Sequence, residues 1–222
     1  MSRRKSSVGE INYAKMRFTN LLQEEKDWVT KSTTTHFADK HLAVVTELVQ
    51  TPTNSEPRPW TTVRRKAAVV VAPQTADGKF VLIKEERVPI RAAIWSMPAG
   101  QIDDNIEPNE KEIEAVALRE LNEETGYELA PGGELVSLGY FVTSPGFTDE
   151  HCYLFLARFV QVAAVQQKEE AEGILESRAF TAAELSRMIA ANEIRDSNTL
   201  SVCARMAARG FFSFGAQKQM SI

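Results

Sequence analysis

The chain has 222 residues, of which 43% are hydrophobic and 25% charged, with a formal net charge of −4. That length suits one substantial domain with a short appendage, and the composition excludes wholesale disorder and fibrous repeats. The weakly acidic balance gives no basic face for nucleic acid, and no apolar run approaches the roughly 18 residues of a membrane span, so neither is an expected partner.

Met1 to Ser7 is basic, but no apolar stretch follows it and acids begin at Glu10. A secretory signal is not expected, although a short organelle-targeting peptide is compatible with this start. Residues Ile11 to Val29 have helix-forming composition with an imperfect stripe of Met16, Leu21 and Trp28. Leu42 to Val49 is rich in β-branched residues and predicts a strand, and the proline-rich run from Thr51 to Pro59 predicts a loop. That loop separates an expected N-terminal appendage (1–60) from a core domain (61–210), with a tail at 211–222. Within the core, Val63 to Ala72 and Lys79 to Val88 read as two strands of a hairpin joined through Asp77-Gly78.

After Trp95-Ser-Met-Pro-Ala-Gly100 and a polar loop, Glu110 to Thr125 reads as a helix with Asn109 as N-cap and Gly126 closing it. Strands follow at Leu135 to Val142, Tyr153 to Val160 and Ile174 to Phe180. Thr181, with Glu184 three positions on, caps a helix through Met188 to Ala191, and Asn198 to Ala208 forms a last helix. Without regular βα alternation this order is α+β, a mixed sheet flanked by helices. The cysteines, Cys152 and Cys203, lie far apart without a CxxC pair and read as reduced thiols of a cytoplasmic protein. The three histidines form no ligand spacing.

The chemically loaded segment is Arg119-Glu-Leu-Asn-Glu-Glu-Thr-Gly126. At about 100° per residue, Glu120 and Glu124 project close together on the apolar stripe of Ile113 and Ala117. A charge run on a helix is ordinarily a solvated face, but these carboxylates share the inward one, where an unpaired charge costs several kcal/mol or so. Arg119 can pair with Glu123 one turn on and approach Glu112 two turns back. Oxygen ligands without histidine or cysteine then favour Mg²⁺, or Mn²⁺, for Glu120 and Glu124.

At these residues the chain resembles the Nudix family, whose box runs G-x5-E-x7-R-E-U-x-E-E-x-G-U, U being a bulky apolar residue. Gly100 opens the box, and Arg119 to Tyr127 fits its second half at every specified position. The first half departs from it: Gly100 lies too far from Arg119, and Lys111 stands where glutamate is expected. An insertion explains both, with Glu107 or Glu112 taking over the missing acid's part. The likeness runs from about Ala67 to Ala208 and is greatest to the ADP-ribose pyrophosphatase branch, because Trp95 to Gly100 and Ser144-Pro-Gly-Phe-Thr-Asp-Glu150 resemble its segments. Glu85-Glu86-Arg87 departs from the Gln-aromatic-Arg of that branch, and Ser96 from its acid.

The resemblance implies a Nudix-type fold and Mg²⁺-dependent hydrolysis of a nucleoside diphosphate derivative, ADP-ribose to AMP and ribose 5-phosphate. It implies metal ligands at Glu120, Glu123, Glu124 and the Ala99 carbonyl, with Arg119 supporting them. Glu170, with Glu172 second, is the implied general base. Arg87, Pro145 and Glu150 are the implied substrate contacts, Trp28 or Trp60 could stack on adenine, and a homodimer is the expected assembly. Another nucleotide substrate and a catalytically impaired nucleotide-binding protein are the competing readings, which turnover with Mg²⁺ across a panel of nucleotides separates.

Overall fold

The computed structural model describes residues 27–102, 109–165 and 173–215. Its strands are β1 (Val29–Ala38), β2 (Leu42–Thr51), β3 (Asn54–Arg65), β4 (Ala68–Thr75), β5 (Phe80–Arg87), β6 (Ala92–Ser96), β7 (Ala99–Gln101), β8 (Tyr127–Val142), β9 (His151–Val162) and β10 (Ile174–Phe180). The helices are α1 (Glu110–Thr125), α2 (Ala182–Ala190) and α3 (Ser197–Ala208). A seven-stranded sheet runs in the order β10-β5-β4-β9-β8, with β6 added to β5 and β7 to β4. Strands β4 and β9 pair in parallel, and their neighbours pair antiparallel.

The central strands are near-continuous apolar runs because both faces of the sheet are covered. Val70, Leu82 and Leu154 point to the side closed by α2 and α3, where Leu185, Val202 and Met206 meet them. Val69, Val71 and Phe155, the alternate positions, point to α1 and meet Ile113, Ala117 and Leu121. Each fully buried Leu or Ile side chain here contributes roughly 1.5–3 kcal/mol of transfer free energy.

The α+β architecture, a mixed sheet flanked by helices, is the one expected, and α1, β10 and the capping box of α2 fall where the sequence puts them. Four readings are corrected. The proline-rich run from Thr51 is not a loop: from Asn54 it is β3, the edge of a separate three-stranded sheet β1-β2-β3. Pro57 and Pro59 are tolerated because an edge strand has one unpaired side, and residues two apart share it. The single strand expected at Val63 to Ala72 is two, broken at Lys66-Ala67, with β3 in the N-terminal sheet and β4 in the core. Strand β8 begins at Tyr127, directly after α1, with an irregularity between Leu129 and Glu134. Finally, β1 opens at Val29, the last residue of the expected N-terminal helix; the rest of that helix up to residue 26 lies outside the described residues.

Candidate metal and nucleotide site

Helix α1 is fixed at both ends by its own sequence. Asn109 Oδ1 accepts the Glu112 N–H at 3.1 Å, and Gly126 takes the left-handed φ of 73° while its N–H closes on Asn122. Ile113, Ala117 and Leu121 lock its inner face onto the sheet, and Glu120 and Glu124 on that face are only 4% and 5% exposed. Burying two carboxylates requires compensation. Arg119 supplies part of it, reaching Glu120 Oε1 at 2.8 Å and Glu123 Oε2 at 3.0 Å. The Ala99 N–H donates to Glu124 Oε2 at 2.8 Å.

Strand β7 completes the cradle. The bonds Val71 N–H to Pro98 and Ile102 N–H to Ala67 leave Val70 and Ala99 as a non-hydrogen-bonded pair. The N–H and C=O of Ala99 therefore both turn away from β4, toward the α1 carboxylates, which directs a carbonyl oxygen into the same acidic space. At Gly100 a Cβ would stand 2.0 Å from the Glu120 carboxyl carbon, so only glycine lets that carboxylate lie on the strand.

Alternation along β5 and its pairing with β6 put Ile83, Glu85 and Arg87 on the α1 face together with Ser96 and Ile94. Arg87 Nη1 binds Glu85 Oε1 at 2.8 Å, so an arginine does stand beside the acid that would otherwise repel a diphosphate. Ser96 is fully buried, and its Oγ has no hydrogen-bond partner among the described residues. The strand exit is held from the other side of the sheet, where Thr199 Oγ1 in α3 accepts the Met97 N–H at 2.8 Å.

An all-oxygen, buried donor set of this kind fits a hard divalent cation by its chemistry. Among the described residues, no three His, Cys, Asp or Glu side chains are gathered in ready ligand geometry. One oxygen each of Glu120 and Glu123 is turned to Arg119, and one of Glu124 to the Ala99 amide.

The structure thus brings Ala99, Arg119, Glu120, Glu123 and Glu124 together, with Arg87 on the same face of the sheet. Pro145 is exposed on the β8–β9 loop, whereas Glu150 is engaged by Arg65 Nε at 3.0 Å and by the Thr143 hydroxyl at 3.0 Å. Trp28 and Trp60 are 44% and 58% exposed and belong to the N-terminal segment and its sheet, not to the α1 face. Glu107, Glu170 and Glu172 lie outside the described residues.

Sequence reading missed Arg64, whose guanidinium joins Glu47 at 2.7 Å and Asp149 at 2.9 Å. Burial opposes its charge, but the bonds to Asp149 and Glu47 more than offset this and raise its pKa above the ordinary value. No local pattern could have revealed a triad assembled from three separate strands and loops.

Comparison with known proteins agrees with this geometry. The NUDIX domain family matches residues 63–201. The chain is 31% identical to an ADP-ribose pyrophosphatase of Bacillus subtilis over 163 residues, which is 73% of this chain and 83% of that protein. It is 35% identical to a methanol dehydrogenase activator of Bacillus methanolicus over 143 residues, 62% of this chain and 70% of the relative. The solved structure of an ADP compounds hydrolase superposes with a TM-score of 0.66 at 16% identity, covering 84% of this chain and 94% of that one, and so shares the fold. With the acidic helix, its glycine cradle and a family match across most of the chain, this protein belongs to the NUDIX domain family.

Proposed function

We propose that the protein is a Mg²⁺-dependent hydrolase of the pyrophosphate bond in a nucleoside diphosphate derivative, with ADP-ribose as substrate and AMP and ribose 5-phosphate as products. The observation that carries this reading is the pair of buried carboxylates, Glu120 and Glu124, resting against Gly100 and Ala99. The ADP-ribose assignment is supported by the Bacillus subtilis relative and by the Ser144-Pro-Gly146 loop.

Glu120, Glu123, Glu124 and the Ala99 carbonyl would hold Mg²⁺, or Mn²⁺ in its place. The bound ion supplies polarisation of the diphosphate and a lowered pKa for water. Arg119 keeps Glu120 and Glu123 oriented and offsets their mutual repulsion. Arg87 offers a guanidinium to phosphate or ribose, with Glu85 tempering its charge. Glu170, with Glu172 second, takes the proton from the attacking water. This role is supported by the family resemblance, in whose ADP-ribose pyrophosphatase branch a glutamate on the loop beyond the box is often the base.

Pro145 and Glu150 border the substrate, and Trp28 or Trp60 stacks on adenine, for which their exposed rings are suited. We divide the chain into an appendage (1–60), the catalytic domain (61–210) and a tail (211–222), with β3 running across the first boundary. The working assembly is a homodimer whose partner is a small-molecule nucleotide, with no role for nucleic acid. A cytoplasmic setting suits Cys152 and Cys203: both are buried and unpaired, and burial pushes both thiols up to about 12. Among the described residues, no helix is long and apolar enough to cross a membrane.

A panel of nucleoside diphosphate derivatives assayed with Mg²⁺, with products identified, tests the reading. Preferential release of AMP from ADP-ribose is the expected outcome. A sugar nucleotide cleaved in preference would favour the second reading, to which the Glu85 and Ser96 departures point. Binding without turnover of any compound would make the protein a sensor.

A further inference from the structure

The sheet β1-β2-β3 and the seven-stranded sheet are separate ladders. The described contacts between them converge on one loop, Thr143 to Glu150. The Val63 N–H donates to Phe147 C=O at 2.7 Å, and Val63 forms a parallel bridge with Thr148. The Arg65 N–H donates to Asp149 Oδ1 at 2.9 Å, and Arg65 Nε binds Glu150. Arg64 spans the joint, donating from Nη2 to both oxygens of Glu47 on β2 at 2.8 and 2.7 Å and from Nη1 to Asp149 Oδ2 at 2.9 Å.

This arrangement is more than a surface ion pair. The Glu47 and Asp149 side chains are 13% and 12% exposed, so without the guanidinium two poorly solvated carboxylates would confront each other. The loop would then be pushed off β3 by like charge. Inside the loop, the Thr143 N–H on Glu150 C=O and the Thr148 N–H on Ser144 C=O close it on itself, so a displacement of Asp149 is passed to Pro145 and Glu150.

We infer that Arg64 is a positioning residue for substrate binding: acting through Asp149 and Glu47, it lets the N-terminal sheet set where the Ser144-Pro145-Gly146 loop stands, and hence the affinity for the nucleotide. The inference rests on the substrate role proposed above for that loop. It assigns the sheet a part in specificity and leaves bond cleavage to the residues on α1, which Arg64 does not touch in the described contacts.

The test uses the full-length chain and its variants Arg64→Met, Arg64→Lys, Asp149→Asn and the double variant Arg64→Met/Asp149→Asn, with ADP-ribose and Mg²⁺. Arg64→Met is expected to raise KM about tenfold or more while kcat stays within about threefold, the signature of lost binding rather than lost chemistry. Asp149→Asn should do the same, the double variant should be no worse than Arg64→Met, and Arg64→Lys should recover part of the loss. Amide hydrogen exchange across 143–150 should be faster in Arg64→Met. Unchanged KM, a loss confined to kcat, or additive losses in the double variant would overturn the inference. If Arg64→Met does not fold, Arg64→Lys and Asp149→Asn carry the same comparison. Should the wild-type chain leave ADP-ribose uncleaved, the substrate reading fails by itself. Loop exchange then decides the tether, with faster exchange in the variants retaining it and unchanged exchange sinking it.

Discussion

Glu124 is held between α1 packing and a strand amide, so Glu124→Gln keeps its volume and most of its contacts while removing the charge. Turnover should fall roughly a hundredfold or more, equivalent to about 2.7 kcal/mol of transition-state stabilisation, with the circular dichroism spectrum unchanged. Kinetics like those of the wild type would remove Glu124 from the metal set. Gly100→Ala is a sharper test of geometry. The added methyl collides with the tip of the Glu120 side chain rather than with backbone, so the fold should survive while Glu120 is expelled from the cradle. Activity should then match that of Glu120→Gln, measured side by side with the denaturant midpoints of both variants. Glu120 and Glu124 were legible as an inward-facing pair from helical period, whereas Glu123 joined them only through the family resemblance. The Arg119–Glu123 pair one turn apart was legible as well, but the seating of Glu124 on the Ala99 amide and of Glu120 on Gly100 was not, because it depends on how β7 approaches α1.

At the level of elements, the caps Asn109 and Thr181 were legible ahead of their apolar periods, whereas Asp196, which accepts the Thr199 N–H at the start of α3, was not read. Asn109→Ala should cost about 1 kcal/mol of stability in urea titration, since one orphan N–H of α1 loses its acceptor. The capping box at Thr181 carries a pH signature. The Thr181 N–H and hydroxyl both donate to Glu184, and these bonds hold its carboxyl below the ordinary 4.5. A depressed folded value means that the stabilisation is present above pH 4.5 and lost as pH falls through the folded value. Thermal melts of the wild type and Glu184→Gln should therefore differ above that pH and converge in acid; a constant difference would disprove the link. Strand β3 shows the opposite case, where Pro57 and Pro59 suggest a loop by local chemistry, yet an edge position in a sheet admits them. Edge or centre is a property of the assembled sheet, which no local window contains.

For the whole molecule, the N-terminal sheet is openly exposed among the described residues. Strand β1 is exposed along its length, and Phe37, Trp60 and Phe147 are each more than half exposed. Exposed rings on and beside a small sheet suit the proposed homodimer, which would bury them. Light scattering should give twice the mass of the chain, and Trp60→Asp should shift the equilibrium toward monomer. A monomeric wild type at micromolar concentration would refute the assembly and leave the chemistry of α1 untouched.

Legible in the residues alone were the acidic helix, its caps at Asn109 and Gly126, and the mix of helices and strands. Each of these is written in neighbours a few residues apart, within reach of a helical turn or a hairpin. It took the assembled fold to make residues 54–65 an edge strand, to seat Glu120 on a glycine of β7, and to close Arg64 on Asp149. Asp149 is 85 residues from Arg64 along the chain, and contacts at such separation are selected by packing of the whole sheet, leaving no period in the sequence to read.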